Sequence, residues 1–249
     1  MENYTIGENY TLPSLGKVYD REVNPNIKLR SMTTEEEMKR LTPSDRPYKN
    51  MCEIIDDCLV EKPGISSYDM IMADYLYLLH KLRIVTYGEE YQTDLLCPFC
   101  GCTNERTINL EDLTVNQYSE DLNKYIEFDL PKSRDHIKIR PQTPRIKDEI
   151  VVRSKDKKHS SGPKESALLL TLQYLVVEIN GTRPQSFEKE NYIRKLPMID
   201  TNFILKCAEK IDEKVGLDTD IEDVCSVCGT DYKSSFRLTA EFFGPSINI

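Results

Sequence analysis

Cys97-Pro98-Phe99-Cys100-Gly101 is one of two cysteine knuckles that decide the fold of this chain, and Cys225-Ser226-Val227-Cys228-Gly229 is the other. Two cysteines separated by two residues can turn both sulfurs toward one point. The glycine that follows allows the left-handed backbone that such a turn needs. Two knuckles supply four thiolates, which suit a tetrahedral zinc site with Zn–S distances of about 2.3 Å. We therefore predict one structural Zn²⁺ with four ligands: Cys97, Cys100, Cys225 and Cys228.

Other interpretations of the cysteines stay open. The chain has eight cysteines, and the four in the knuckles could be free, buried thiols. Cys102 lies beside the first knuckle and could replace Cys100 as a ligand. The ion could also be iron, because rubredoxins use two similar knuckles that end in glycine, although the chain between these two knuckles is far longer than that small fold. We expect the other cysteines to be small hydrophobic side chains rather than ligands: Cys52, Cys58 and Cys207.

The separation of the knuckles indicates a split zinc ribbon. Cys100 and Cys225 are separated by 124 residues, and each knuckle adjoins strand-like segments. We predict that helices at about 145–216 are inserted between two β-hairpins and that the metal joins the hairpins. A closed site of four thiolates leaves no position for a substrate, so its expected role is folding stability rather than catalysis.

The composition argues against several classes of protein. The 249 residues include 42 Asp plus Glu against 33 Lys plus Arg, and the net charge of -9 disfavours a general nucleic-acid binder. No apolar run approaches the roughly 18 residues of a membrane helix. The first residues, Met1-Glu2-Asn3-Tyr4, lack the basic and apolar layout of a signal peptide. We therefore expect a reducing compartment, where clustered cysteines indicate metal rather than disulfides.

Hydrophobic periodicity predicts a small helical unit ahead of the first knuckle. The predicted elements are a strand at 27–30 and helices at about 34–41, 48–60 and 68–83. Thr34 and Glu37 fit a capping box at the start of the first of these helices.

Beyond residue 90 the pattern changes to short strands and further helices. The predicted strands lie at 92–96, 105–110, 125–128, 136–139 and 236–239, and the segment 146–152 fits either a helix or a strand. Two more helices are predicted at 164–179, closed by Asn180-Gly181, and at 200–215, capped by Asp200. We predict that the basic stretch 153–164 is an exposed, solvated loop. Alternatively, it could contact nucleic acid or an acidic partner.

The fold class that follows is α+β, with a small N-terminal helical unit and a split zinc ribbon of short β-hairpins that carries a helical insertion. We divide the chain into an extended N-terminal arm (1–26), a helical domain (27–88) and a zinc-ribbon-containing α+β domain (89–249). The arm and the tail at Phe242-Phe243 are candidates for contacts with neighbouring subunits. Packing onto their own domain is the alternative.

The sequence contains no recognisable catalytic constellation. Its three histidines are His80, His136 and His159. His80 is near the end of a predicted helix, where we expect a helix-terminal or surface histidine rather than a base; His136 is at the start of a strand, and His159 is in the basic stretch. It has no nucleophile elbow, phosphate loop or glycine-rich dinucleotide motif. The acidic clusters 35–37 and 56–57 read as solvated helix surface. We therefore predict that the protein is not an enzyme.

Several short motifs, taken in order, resemble one family. The opening Leu12-Pro13-Ser14-x-Gly16-x-x-Tyr19 and the segment IKLRSMTTEEE at 27–37 resemble the start of baseplate hub proteins of T-even-like tailed phages. The later parts of the resemblance are Leu82-Arg83-x-x-x-Tyr87-Gly88, Cys97-Pro98-x-Cys100, Cys225-x-x-Cys228-Gly229 and Phe242-Phe243-x-Pro245. Together these motifs span most of the chain.

The resemblance implies a non-enzymatic virion component of the tail baseplate, assembled in the host cytoplasm. The implied partners are other baseplate and hub proteins, with the tail tube or the tape-measure protein as further candidates, and several copies would form a symmetric assembly. No nucleic-acid or membrane partner is expected. Two alternatives remain: an assembly chaperone for the hub or tape measure that is absent from the mature virion, and a zinc-ribbon nucleic-acid-binding factor.

Overall fold

The computed structural model describes residues 7–119, 126–155, 163–235, 238 and 240–243. Within these residues it combines seven α-helices with small antiparallel sheets, as the α+β prediction requires. The helices are α1 (Thr34–Leu41), α2 (Pro47–Cys58), α3 (Met72–Tyr87), α4 (Pro144–Ser154), α5 (Pro163–Leu175), α6 (Ser186–Lys195) and α7 (Met198–Lys214). The strands are β1 (Gly7–Thr11), β2 (Asn26–Arg30), β3 (Leu59–Glu61), β4 (Glu90–Leu96), β5 (Thr103–Asn109), β6 (Val115–Asn116), β7 (Ile126–Asp129), β8 (His136–Ile139), β9 (Val176–Ile179), β10 (Gly216–Leu217), β11 (Asp220–Val224) and β12 (Asp231–Ser235).

The first sheet joins the start of the chain to its own core. β1, β2 and β3 lie side by side in that order, and both pairs are antiparallel. Ile27 and Leu29 are buried while the residues beside them are not, which is the alternation of a half-buried strand. The strand predicted at 27–30 is therefore confirmed, and β1 is an addition to the predicted elements.

Residues 7–26 pack against their own chain. The backbone N–H of Ser14 donates to Asp74 Oδ1 (3.0 Å), and the hydroxyls of Ser14 and Tyr19 donate to Asp74 Oδ2 (2.5 and 2.6 Å). Leu12 and Val23 belong to the same buried core. The described part of the predicted arm thus packs onto its own chain, which was the alternative to a contact with neighbouring subunits. Residues 1–6 lie outside the described residues.

The three N-terminal helices lie close to their predicted positions, with shifted ends. α1 has the predicted limits, whereas α2 ends at Cys58 because the next residues form β3 and pair with β2. The hydroxyl of Ser66 caps a short 3-10 turn, Ser67–Asp69, by accepting the N–H of Tyr68 (3.2 Å). For this reason α3 begins only at Met72, four residues later than predicted.

The capping box of α1 is formed by Thr33 and Glu36, one residue earlier than the predicted Thr34 and Glu37. The Thr33 N–H donates to Glu36 Oε2 (2.6 Å), the Thr33 hydroxyl bonds to the same oxygen, and Arg30 Nη2 donates to Oε1 (2.6 Å). Burial by itself would raise the pKa of Glu36, but these donors outweigh it and lower the pKa to about 2. Glu36 is only 9% exposed, so its predicted place on the solvated surface is wrong.

Glu36→Gln is expected to weaken the dependence of stability on acid pH. The folded-state pKa is lowered, so the carboxylate stabilises the fold above its usual pKa of 4.5, and this contribution is lost as the pH falls toward about 2. The contribution should be on the order of 2 kcal/mol. Urea unfolding across this pH range measures it. The exposed Glu35→Gln is the control and should keep the wild-type pH dependence; an unchanged profile for Glu36→Gln would contradict the argument.

β7, β8 and β9 form a second three-stranded sheet, which packs against α5 and α7. The helix predicted at 164–179 is wrong at its C-terminal end, because α5 stops at Leu175 and the chain continues as β9 beside β8. Val176, Val177 and Ile179 are β-branched and favour a strand. Asn180-Gly181 closes this strand rather than a helix.

Asp200 lies inside α7 rather than at its N-cap, which corrects the prediction. Its buried carboxylate accepts the backbone N–H groups of Lys132 (2.8 Å) and Ser133 (2.9 Å), so it caps the turn between β7 and β8. α6 was not among the predicted elements, and α4 shows that the ambiguous segment 146–152 is helical. Residues 156–162 of the basic stretch lie outside the described residues.

The two ends of the predicted insertion, at β6 and β10, lie side by side. β6 follows the β4–β5 hairpin and pairs antiparallel with β10, which precedes the β11–β12 hairpin. The Asp218 N–H extends this contact by donating to Thr114 O (2.8 Å). α4 to α7 lie between β6 and β10 in the sequence, as the predicted insertion requires. Of the strand predicted at 236–239, only residue 238 is described.

The described end of the chain packs into the N-terminal core. Phe242 and Phe243 are fully buried in one cluster with Leu110 and the residues of α3. Arg83 is 1% exposed, and its Nε donates to Phe242 O (3.1 Å). The two phenylalanines therefore follow the alternative of packing onto their own chain. Since this core takes residues from both sides of position 88, the domain division there stays a prediction.

Candidate metal centre

Each knuckle is a tight turn with the same backbone geometry. The Gly101 N–H donates to Cys97 O (3.0 Å), and the Gly229 N–H donates to Cys225 O (2.9 Å). The two glycines have φ of 73° and 69°, in the left-handed region that glycine adopts without strain. β4 and β5 frame the first knuckle, and β11 and β12 frame the second. The local sequence thus folds both motifs in the way that their spacing predicts.

The structure brings the four predicted cysteines together. Their sulfurs all lie within 4.8 Å of one another, with Cys97 Sγ 3.8 Å from Cys228 Sγ and Cys100 Sγ 3.6 Å from Cys225 Sγ. Sulfurs at the corners of a tetrahedron around zinc, with Zn–S bonds of about 2.3 Å, are about 3.8 Å apart, whereas a disulfide needs about 2.05 Å. The spacing fits four ligands of one ion. Among the described residues, this is the one such group of three or more potential ligands.

The two knuckles expose their cysteines in the same way. Cys97 and Cys225, the first cysteine of each, are 0% and 2% exposed and pack against Leu95 and Tyr232. Cys100 and Cys228, the second cysteine of each, face solvent. An ion held between them would be shielded on the inner side and could enter from the outer side.

The electrostatics of the second knuckle favour a thiolate. The backbone N–H groups of Cys228 and Val227 both donate to Cys225 Sγ at 3.4 Å. Mainly because of the Cys228 N–H, the pKa of Cys225 is lowered to about 5. Metal ligands bind as thiolates, so these donors prepare one ligand for an ion. By contrast, burial raises the pKa of the Cys97 thiol, and a cation beside it would reverse that preference.

Asn104 joins the two hairpins and was not predicted as a site residue. It is 2% exposed, its Oδ1 accepts the N–H (2.9 Å) and the hydroxyl (2.6 Å) of Ser226, and its Nδ2 donates to the Tyr232 hydroxyl (3.2 Å). An ion pair between Arg106 Nε and Asp223 Oδ1 (3.0 Å) adds a second link. A polar residue that faces inward on a strand is the only sequence signal for Asn104, and that signal does not identify a partner 122 residues away.

Cys102 lies beside the four-sulfur group. Its sulfur is 3.3 Å from Cys100 Sγ and 3.1 Å from Cys225 Sγ, so it is as close to these two sulfurs as they are to each other. The four cysteines of the two knuckles stay the predicted ligand set, and Cys102 stays the alternative to Cys100.

Cys102→Ser is expected to keep one metal ion per chain, whereas Cys100→Ser is expected to lose most of it. Four thiolates saturate a structural zinc site, and removing a true ligand leaves the ion with three. Elemental analysis of the two purified variants, side by side with the wild type, measures the difference. The reverse result, with metal lost from Cys102→Ser and kept by Cys100→Ser, would make Cys102 the ligand.

The structure describes two of the three histidines and the three remaining cysteines. His80 is 1% exposed rather than at the surface, which corrects the prediction, and its Nε2 lies 2.9 Å from Leu110 O. Burial lowers its pKa to about 4, and its Nδ1 has no hydrogen-bond partner among the described residues. His136 is exposed beside Asp129, and His159 lies outside the described residues. The three other cysteines are buried, as predicted: Cys52, Cys58 and Cys207.

A family model described as T4 bacteriophage base plate protein matches residues 4–244. No curated protein and no solved structure matches the chain. Among the helices of the described residues, none has both the length and the apolar composition to cross a membrane.

Proposed function

The chain belongs to the T4 bacteriophage base plate protein family, and on that premise we propose that it is a structural component of the hub region of a phage tail baseplate. The match over residues 4–244 carries this proposal, because it includes both cysteine knuckles and almost the whole chain. The hub assignment rests on the resemblance of the opening motifs, Leu12-Pro13-Ser14 and the segment 27–37, to baseplate hub proteins.

The four cysteines would hold one structural Zn²⁺ within this scaffold. Once bound, zinc supplies folding free energy and leaves no open coordination position. It would join the β4–β5 hairpin to the β11–β12 hairpin, on either side of the insertion. The two would then form a split zinc ribbon, and the clustered cysteines support a bracing role without catalysis.

The partners that fit this role are other baseplate and hub proteins, with the tail tube or the tape-measure protein as further candidates. We further propose that several copies form a symmetric assembly. The protein would be made in the host cytoplasm and carried in the virion tail. The net charge of -9 supports protein partners over nucleic acid or anionic membranes, since both of those repel an acidic chain.

Mass spectrometry of purified phage tails tests the proposal. We expect the chain in finished tails at a constant ratio to the other baseplate proteins. Its absence from finished tails, combined with a requirement for it during their assembly, would contradict a structural role and indicate an assembly chaperone instead.

A further inference from the structure

Four exposed apolar residues are chain neighbours of the clustered cysteines. They are the residues that directly precede the four cysteines: Leu96 (61% exposed), Phe99 (66%), Val224 (52%) and Val227 (73%). We refer to these four residues as the ribbon tip. Exposed apolar side chains clustered in one place are the usual mark of an interaction site.

Carboxylates border the ribbon tip on both hairpins. Asp94 and Glu222 lie two residues before Leu96 and Val224, so each shares a strand face with one of the tip residues. Across the hairpins, Asp94 is directly opposite Glu105, and Val224 is directly opposite Asp231. All four carboxylates are exposed. Glu222 has a cation, Lys233, directly opposite it on the neighbouring strand, whereas no ion pair within 4.0 Å joins Asp94, Glu105 or Asp231 to another described residue.

The negative charges of Asp94 and Glu105 favour a cation supplied by a binding partner. Like charges directly opposite each other on antiparallel strands destabilise a hairpin. The nearest cations of the ribbon are already paired, Arg106 with Asp223 (3.0 Å) and Lys233 with Asp220 (2.8 Å). A cation supplied by a partner would relieve the repulsion.

We propose that the ribbon tip is a docking surface for another baseplate protein whose contact segment carries Lys or Arg beside apolar side chains. This inference rests on the proposed baseplate function. Apolar side chains of the partner would cover Phe99 and Val227, and its cations would face Asp94 and Glu105. The knuckles are tight turns, and Asn104 joins their two hairpins. The surface is therefore pre-organised, and little conformational entropy is lost on binding.

Charge complementarity favours a cationic partner over other occupants of the tip. Nucleic acid and anionic membranes would meet the bordering carboxylates with like charge. A second copy of the chain, docked tip to tip about a two-fold axis, would also place carboxylates against carboxylates.

The test measures binding of the purified full chain to baseplate assembly intermediates from a phage that lacks it. The double variant Phe99→Ser/Val227→Ser is expected to bind at least about tenfold more weakly while it keeps the wild-type metal content. Phe187→Ser changes a similarly exposed phenylalanine on α6 (75% exposed) and should bind normally. Equal binding by the tip variant and the wild type would overturn the inference.

Asp94→Asn separates docking from a merely structural effect. It removes the like-charge repulsion, so the hairpin should be as stable as in the wild type or more so. Binding should nevertheless weaken and become less sensitive to salt. Glu209→Gln is the matched control on α7. Higher stability with unchanged binding would show a surface that is only solvated and would overturn the docking role.

Two further outcomes are distinguishable. If the wild-type chain fails to bind the intermediates and is absent from tails, the proposed function itself fails. If the wild type binds while sedimentation shows a self-association that the tip variant loses, a second copy occupies the tip, and the inferred heterologous partner is wrong.

Discussion

Cys97→Ser is expected to abolish stoichiometric zinc binding and to leave the two hairpins of the ribbon sensitive to protease. Cys97 is fully buried, and its sulfur lies 3.8 Å from that of Cys228 on the other knuckle. Structural zinc sites contribute on the order of 10 kcal/mol of binding free energy, which is also folding free energy. The small cluster around Leu95 and Tyr232 offers little apolar burial to replace it.

Elemental analysis and limited proteolysis, performed on the same preparations, measure this effect. Cys225→Ser should behave in the same way, because it removes the equivalent inner ligand. Cys102→Ser is the matched control and should retain both zinc and protease resistance. A soluble, protease-resistant Cys97→Ser protein with a full complement of metal would contradict the ligand assignment.

Phe242→Ala is expected to destabilise the N-terminal core, although the residue lies near the C-terminal end of the sequence. Its side chain is fully buried, its ring centroid lies 4.9 Å from that of Tyr91, and its carbonyl accepts from Arg83 Nε. Replacing a buried phenylalanine with alanine costs about 3–5 kcal/mol, because apolar contacts are lost and a cavity remains.

Urea unfolding followed by circular dichroism measures the loss in the free energy of unfolding. Phe187→Ala is the matched control, since Phe187 is 75% exposed and its truncation should change stability by less than about 0.5 kcal/mol. If both variants were equally stable, the tail would contribute nothing to the core, and a role for Phe242 in contacts with neighbouring subunits would be favoured.

The site was more predictable from sequence than its surroundings. Cys-x-x-Cys-Gly fixes a turn chemically, because the spacing orients two sulfurs and the glycine permits the backbone. The repeated motif therefore predicted which four cysteines meet across 124 residues. Asn104 carries no comparable signal, since its partners Ser226 and Tyr232 are fixed only by the tertiary fold. The ribbon tip likewise emerges only when exposure is known.

The predicted boundaries of helices and strands are wrong where a tertiary contact overrides the local preference of the sequence. The helix predicted at 164–179 is strongly apolar from Ala167 onward, and its last four residues form a strand because β8 is available to pair with them. Asp200 has the composition of an N-cap, yet it serves a turn more than 60 residues away. The tail at Phe242 was a candidate for contacts with other subunits. It is buried instead, because Arg83 donates to the Phe242 carbonyl and the side chain packs against the core around α3.

X-ray absorption at the zinc edge of the purified full-length protein tests the central claim most directly. The four-thiolate site predicts one zinc per chain, surrounded by four sulfurs at about 2.3 Å and no lighter ligand. Folded protein without bound metal, or zinc with oxygen or nitrogen in place of a sulfur, would contradict it. Iron at the same site would keep the brace and change the ion.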